Sequence, residues 1–314
     1  MATRPLVPSR LAPGGVSAHG PRRAPRSVLG GYVALTKPRI IELLLITTVP
    51  TMVLAEQGWP DWGLLLITLL GGSLAAGGAN AINMVVDRDI DRLMERTRNR
   101  PLVTGLIAPR SALVFALALE ALAFAVLWAG ANLLSAVLAL SATLFYVFIY
   151  TLWLKRTSRQ NIVIGGAAGA VPVLVGWAAV RNSLDWEPFV LFTAIFLWTP
   201  PHFWALAIRH ADDYRAASVP MLPTVTTMAT TVRHMFTYTV VLTASTLVLA
   251  PVADLGPLYW VSALVLGLGF MLGTIDLGRN PTPARSMRLF AFSISYVTVL
   301  FGAMAADVLI RHGV

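Results

Sequence analysis

Cysteine is absent from the chain, which removes disulfides, thiolate metal sites and thiol nucleophiles and leaves no cysteine clue to the compartment. Charge is scarce as well. Only 12% of the 314 residues are Asp, Glu, Lys or Arg, about half the share of an ordinary soluble domain. Lysine occurs twice, at Lys37 and Lys155. No apolar h-region stands close behind the basic start. Before Tyr32 the chain is rich in Pro, Gly, Ser and Arg, which argues against a signal peptide and for a retained, disordered, basic cytoplasmic tail over residues 1–28.

What fills the rest is apolar: 56% of residues are hydrophobic, in repeated runs near twenty residues. Runs of that length cross a bilayer as helices, because hydrocarbon leaves backbone groups no partner except one another. The expected fold is therefore all-α, a polytopic bundle over 29–314. Its nine transmembrane helices fall near 38–56, 62–86, 109–130, 132–151, 161–180, 187–208, 233–252, 258–277 and 287–310. Charge tests the count. With nine spans, every Lys and Arg except Arg181 and Arg311 falls on one side of the membrane. The positive-inside rule then places the N-terminus in the cytoplasm and the C-terminus outside. The net charge of +9 is thus a record of topology, and nucleic acid is not an expected partner. The two long loops, 87–108 and 209–232, both face the cytoplasm, so the chemistry is expected there.

The densest charge lies in Asn80–Pro101. Asn83, Asp87 and Asp91 are spaced i, i+4, i+8 and share one helix face, while Asp89 points away. Three hard oxygen side chains in a column at a membrane boundary suit Mg²⁺, which binds one or two carboxylates together with substrate phosphates. Arg96 and Arg100 follow and can grip the same phosphates. A solvated charged face is the bland alternative, and the column with its arginine fork outweighs it. Asp212 and Asp213 leave the sixth span much as Asp87 leaves the second. Two acidic helix ends facing one cavity would hold two Mg²⁺ ions and both phosphates of a diphosphate. Tyr146, Tyr150, Lys155, Arg156 and Asn161 lie between the two acidic stretches. Lys155 reads either as a juxtamembrane charge or as a diphosphate contact. Within the sixth span, Pro200 and Pro201 should kink the helix. His202 beside them either lines an acceptor pocket, contacts a carboxylate or ligates iron, or is an interfacial histidine bonded to a carbonyl. Glu120 is a second ionisable group at membrane depth.

Such a site suits ionisation of an allylic diphosphate: cations neutralise the departing charge, and a dry aromatic chamber protects the carbocation. At these residues the sequence resembles the intramembrane prenyltransferase superfamily typified by 4-hydroxybenzoate polyprenyltransferase. More narrowly it resembles the protoheme IX farnesyltransferase (heme O synthase) family. The resemblance rests on Asn83-xxx-Asp87-xxx-Asp91-xx-Met94-x-Arg96-Thr97-xx-Arg100-Pro101-Leu102 and on Tyr150-Thr151-xx-Leu154-Lys155-Arg156 leading to Asn161–Gly166. It rests also on His202–Ala207 and Asp213-Tyr214-xx-Ala217-x-Val219-Pro220-Met221-Leu222-Pro223. Four motifs in order cover about residues 30–310. Ser218 stands where the family often has Gly.

The resemblance implies a nine-helix bundle in the bacterial cell membrane. It also implies transfer of farnesyl from farnesyl diphosphate to a vinyl group of heme B, with water, to give heme O for heme-copper oxidases. It assigns Mg²⁺ to Asn83, Asp87, Asp91 and Asp213, and the diphosphate to Arg96, Arg100, Lys155 and Arg156. His202 and Tyr150 are candidates for the heme or acceptor side. A heme A synthase or a terminal-oxidase assembly protein would be a fitting partner. Prenylation of a quinone or other aromatic ring, or an ion-coupled carrier, are the competing functions. The carrier would favour internal repeats and midplane charges, whereas both acidic motifs sit at one membrane edge.

Overall fold

The structure, a computed structural model, describes residues 27–313, with side chains throughout except at 39–45. The described residues form helices and no strand. Ser27 caps the first helix by accepting the Gly30 N–H; the rest of the expected tail, residues 1–26, lies outside the described range.

The helices are α1 (Val28–Thr36), α2 (Pro38–Glu56), α3 (Trp62–Val86), the turn α4 (Arg88–Asp91), α5 (Pro109–Gly130) and α6 (Leu133–Thr157). They continue with α7 (Asn161–Arg181), α8 (Trp186–Arg209), the short α9 (Ala211–Ala216) and α10 (Leu222–Val225), α11 (Met228–Val252), α12 (Pro257–Arg279) and α13 (Pro283–His312). Eight of them, α3, α5, α6, α7, α8, α11, α12 and α13, are long and apolar enough to cross a membrane. The remaining expected span coincides with α2, whose described apolar stretch is Ile46–Glu56.

Local chemistry sets the ends. Asp61 Oδ1 accepts the Leu64 N–H and Asn132 Oδ1 the Ser135 N–H, which starts α3 and α6. Pro109, Pro257 and Pro283 open α5, α12 and α13, where the missing N–H costs nothing. The α12 start gains a cap from another helix: Asp307 of α13 accepts the Gly256 and Tyr259 N–H groups at 2.6 and 3.3 Å. The α8 helix runs unbroken through Pro200 and Pro201.

Neighbours in sequence pack as neighbours in space, and α13 returns to α2 and α8, which closes the bundle. Close approach depends on small residues. On α3, a Cβ at Gly78 would sit 2.6 Å from Glu120 Oε1, so that glycine makes room for the buried carboxyl on α5. Thr143 of α6 donates to the same oxygen at 3.2 Å. Glu120 is thus a polar pin between three helices. The main core, with Trp177, Trp198, Trp204, Tyr259, Phe270 and Phe301, lies among α7, α8 and α11–α13. Leu66, Leu70, Val114, Leu117, Val261 and Val265 face outward, as a lipid-facing surface requires.

Candidate active site

One end of the bundle gathers the charge. The α3 helix stops at Val86, and Asp87 caps it at φ −86°, ψ 3°. The backbone nevertheless keeps its helical phase across the joint: Asp87 N–H reaches Asn83 O and Asp91 N–H reaches Asp87 O, each at 2.9 Å. Asn83, Asp87 and Asp91 therefore stay in one column although the helix ends between them. Asn83 Nδ2 donates to Asp87 Oδ2 at 2.7 Å and to Thr151 Oγ1 of α6 at 3.2 Å. Asp87 and Asp91 are 0% and 1% exposed, whereas the Asp89 side chain, on the opposite face, is 60% exposed.

Each acidic group has a basic partner. Lys155 donates to Asp87 Oδ2, and Arg100 to Asp91 Oδ2 at 2.5 Å. Arg156 forks onto both oxygens of Asp89 at 2.7 Å, donates to Val86 O at 3.2 Å, and lies 3.5 Å from Asp87 Oδ1. The fork holds the Asp89 carboxyl down at about 2. A fourth cation is one that the sequence showed only as a flanking charge: Lys37, between α1 and α2, donates to Asn83 Oδ1 at 3.0 Å. Burial, then the nearby Arg100 and Lys155 charges, press Lys37 well below the usual lysine range, against the pull of Asp91 and Asp87.

The donor set fits a hard divalent cation. Asp87 Oδ1 and Asp91 Oδ1 are buried and accept no hydrogen bond, Asp87 Oδ1 having only the Arg156 guanidinium 3.5 Å away, and a buried anionic oxygen without a hydrogen bond is costly. Two such oxygens beside an amide leave room in a coordination sphere for diphosphate, as Mg²⁺ prefers. Among the described residues no group of three or more His, Asp or Glu side chains converges on one point. Asp213 instead accepts the Glu95 N–H at 3.0 Å, next to the first acidic stretch. Asp212 is fully exposed and pairs with Arg215. The column thus gathers Asn83, Asp87, Asp91, Arg100, Lys155 and Arg156, with Asp213 one loop away and Asp212 at the surface.

The two long loops dock on each other. Ile90 and Met94 share a small core with Ile162, Ala217, Val219 and Met221. Arg96 lies over the Tyr214 ring, 5.9 Å from its centre. Ser218 adopts a left-handed backbone, φ 53°, which gives the physical reason a glycine suits this position. His210 lies 3.9 Å from Asp213; burial and the Arg96 charge press its imidazole below the usual value.

From Phe145 to Leu154, α6 is wound as a π-helix, a form that recurs at functional sites. Its hydrogen bonds step five residues instead of four, which widens the stretch that carries Tyr146, Tyr150 and Thr151 up to Lys155. The Tyr146 and Tyr150 rings stack at 5.3 Å, and Gly165 leaves the space the Tyr150 ring occupies. Asn161 is fully buried with neither amide atom partnered. His202 is sandwiched between Trp198 and Phe290, at 4.1 and 4.5 Å, and its Nδ1 lies 2.7 Å from Ser293 Oγ. Ser293 gives its own proton to Phe290 O at 2.6 Å. His202 Nδ1–H is therefore the donor, and Nε2 keeps the ring's lone pair.

Known proteins agree with this architecture. A protoheme IX farnesyltransferase of Kineococcus radiotolerans is 50% identical over 93% of this chain and 91% of its own. One from Gloeobacter violaceus is 54% identical over 91% and 96%. Among solved structures, digeranylgeranylglyceryl phosphate synthase superposes with a TM-score of 0.75 at 16% identity, over 90% of this chain and 99% of that one. A UbiA homologue of Archaeoglobus fulgidus bound to GPP and Mg²⁺ gives 0.59 at 17%, over 87% and 99%. The model of the UbiA prenyltransferase family matches residues 44–297, and the chain belongs to that family.

Proposed function

We propose that the protein is a Mg²⁺-dependent prenyltransferase that transfers the farnesyl group of farnesyl diphosphate to a vinyl group of heme B. With addition of water, this gives heme O and diphosphate. The observation that carries the site is the pair of buried carboxylates, Asp87 and Asp91, each with one oxygen bonded to a cation and one that accepts no hydrogen bond. The acceptor follows the two relatives named as protoheme IX farnesyltransferases, half identical to this chain along nearly its whole length.

In this reading Asn83, Asp87, Asp91 and Asp213 hold Mg²⁺, which supplies neutralisation of the charge on the leaving diphosphate. Arg100, Lys155 and Arg156 turn from their carboxylate partners to the diphosphate oxygens, and Arg96 joins them from over the Tyr214 ring. The C–O bond of farnesyl diphosphate breaks and its electron pair leaves with the diphosphate. The vinyl π electrons then form the new C–C bond at the allylic carbon. Water adds to the carbon beside the porphyrin and loses a proton, which completes the hydroxyethylfarnesyl group. Tyr146 and Tyr150 face the cation with aromatic rings and keep water from it. His202, with its free Nε2, contacts the heme. Nine spans, with a cytoplasmic N-terminus and an external C-terminus, put this site at the cytoplasmic face.

Mass spectrometry of the pigment made by the purified protein from farnesyl diphosphate, Mg²⁺ and heme B tests the reading. A heme heavier by farnesyl plus water is expected. Prenylation of an aromatic acid or naphthoate instead would move the acceptor, and no diphosphate release with any acceptor would overturn the reaction.

A further inference from the structure

The chain has two lysines among 24 basic residues, and both end on the metal column. Lys155 reaches Asp87 from α6. Lys37 reaches Asn83 from the other side, at the joint of α1 and α2. That joint is a strained one. Lys37 has φ 51°, ψ 61°, a left-handed backbone that a side-chain-bearing residue adopts at a cost. Pro38 follows it at the start of α2, and proline narrows the choices of the residue before it further. The left-handed residue ends α1, its N–H donating back to Ala34 O. The strained turn aims the ammonium at the one oxygen of the column that belongs to an amide.

Asn83 divides its hydrogen bonds cleanly. Its Nδ2 serves Asp87 and Thr151, so Oδ1 is the only atom it can offer a metal, and Lys37 holds that oxygen. We propose that Lys37 is a diphosphate-binding residue that holds the Asn83 ligand position until the metal arrives. Were Asn83 Oδ1 to bind the metal, the Lys37 ammonium would lose this acceptor and be free to meet the diphosphate. Its neighbours, Arg100 and Lys155, are cations too, so an incoming phosphate oxygen is its natural partner. The assignment rests on the prenyltransferase reading of the column and adds to it a contact from the first transmembrane joint.

Binding of inorganic diphosphate to the detergent-purified full chain, titrated against Mg²⁺, tests this without turnover. Lys37→Met should weaken diphosphate binding about 10- to 100-fold, the worth of one charge-assisted hydrogen bond. The Mg²⁺ concentration for half-maximal binding should stay the same or fall, because the competing cation at Asn83 has gone. Lys37→Arg, which keeps the charge, should recover part of the affinity and shows that a loss in Lys37→Met is not a folding failure. Unchanged diphosphate affinity in Lys37→Met overturns the proposal. A raised Mg²⁺ requirement also overturns it, since Lys37 would then only position Asn83. A wild-type chain that binds no diphosphate at all overturns the reading of the column itself, and this assignment with it.

Discussion

Asp213 accepts the backbone N–H of Glu95 at 3.0 Å, across 118 positions of sequence. This bond fastens the loop after α8 to the loop after α3, so Asp213 is a tether as well as a candidate metal ligand. The two roles separate in Asp213→Asn, which keeps an acceptor oxygen but loses the charge. We expect this variant to melt like the wild type and to need at least tenfold more Mg²⁺ for activity, a loss of about 1.4 kcal/mol in metal binding. Wild-type Mg²⁺ dependence would reduce Asp213 to the tether alone.

Lys155→Met leaves Asp87 buried without its main counter-charge. Breaking a buried pair on one side costs about 3–5 kcal/mol. The variant should therefore unfold at a markedly lower temperature in metal-free detergent solution. Mg²⁺ with inorganic diphosphate, which binds only the folded chain, should recover part of that loss. Equal melting temperatures of variant and wild type without metal would show that the pair contributes nothing.

Ser218 holds a left-handed backbone at a cost of roughly 1–2 kcal/mol. Glycine removes that cost but loses about 0.5–1 kcal/mol to its freer unfolded chain. Ser218→Gly should consequently raise stability by at most about 1.5 kcal/mol and leave turnover unchanged. A lower melting temperature would mean that the serine side chain contributes to the loop.

The Asp89–Arg156 fork sets a pH dependence. The folded carboxyl titrates at about 2 against an ordinary 3.8, so it is a depressed acid. Its contribution is complete above 3.8 and disappears as the pH falls toward 2. The Asp89 side chain is 60% exposed, so solvent screening keeps the contribution under about 1 kcal/mol. Asp89→Asn should be slightly less stable than the wild type near pH 6, with the difference closing between pH 4 and 2. A gap that persists at pH 2 would assign the effect to something other than charge.

The column was legible because helical phase is a property of spacing, and backbone bonds carry that phase across the break at Asp87. Arg100 and Lys155 were legible from their charge beside it. The π winding of α6 was not, since nothing in Phe145–Leu154 distinguishes i→i+5 from i→i+4 bonding before packing decides. Lys37 was hidden for a related reason. Its place in the site depends on a left-handed joint that pattern alone does not reveal, and in sequence it looks like any positive flank. Asp212 and Asp213 are adjacent and chemically alike, and only the docking of the two loops turns Asp213 inward and leaves Asp212 in solvent. Glu120 gained its meaning from Gly78 and Thr143, on two other helices.

The most direct measurement compares heme O formation by wild type, Asp87→Asn and Asp91→Asn, each purified with farnesyl diphosphate, Mg²⁺ and heme B. If the column binds metal and diphosphate, both variants lose turnover by at least a hundredfold, about 2.7 kcal/mol of transition-state stabilisation. Both variants should still fold and bind heme, with Asp87→Asn melting at a lower temperature because it leaves Lys155 without its counter-charge. Near-normal Mg²⁺-dependent turnover in either variant would contradict the assignment of the site.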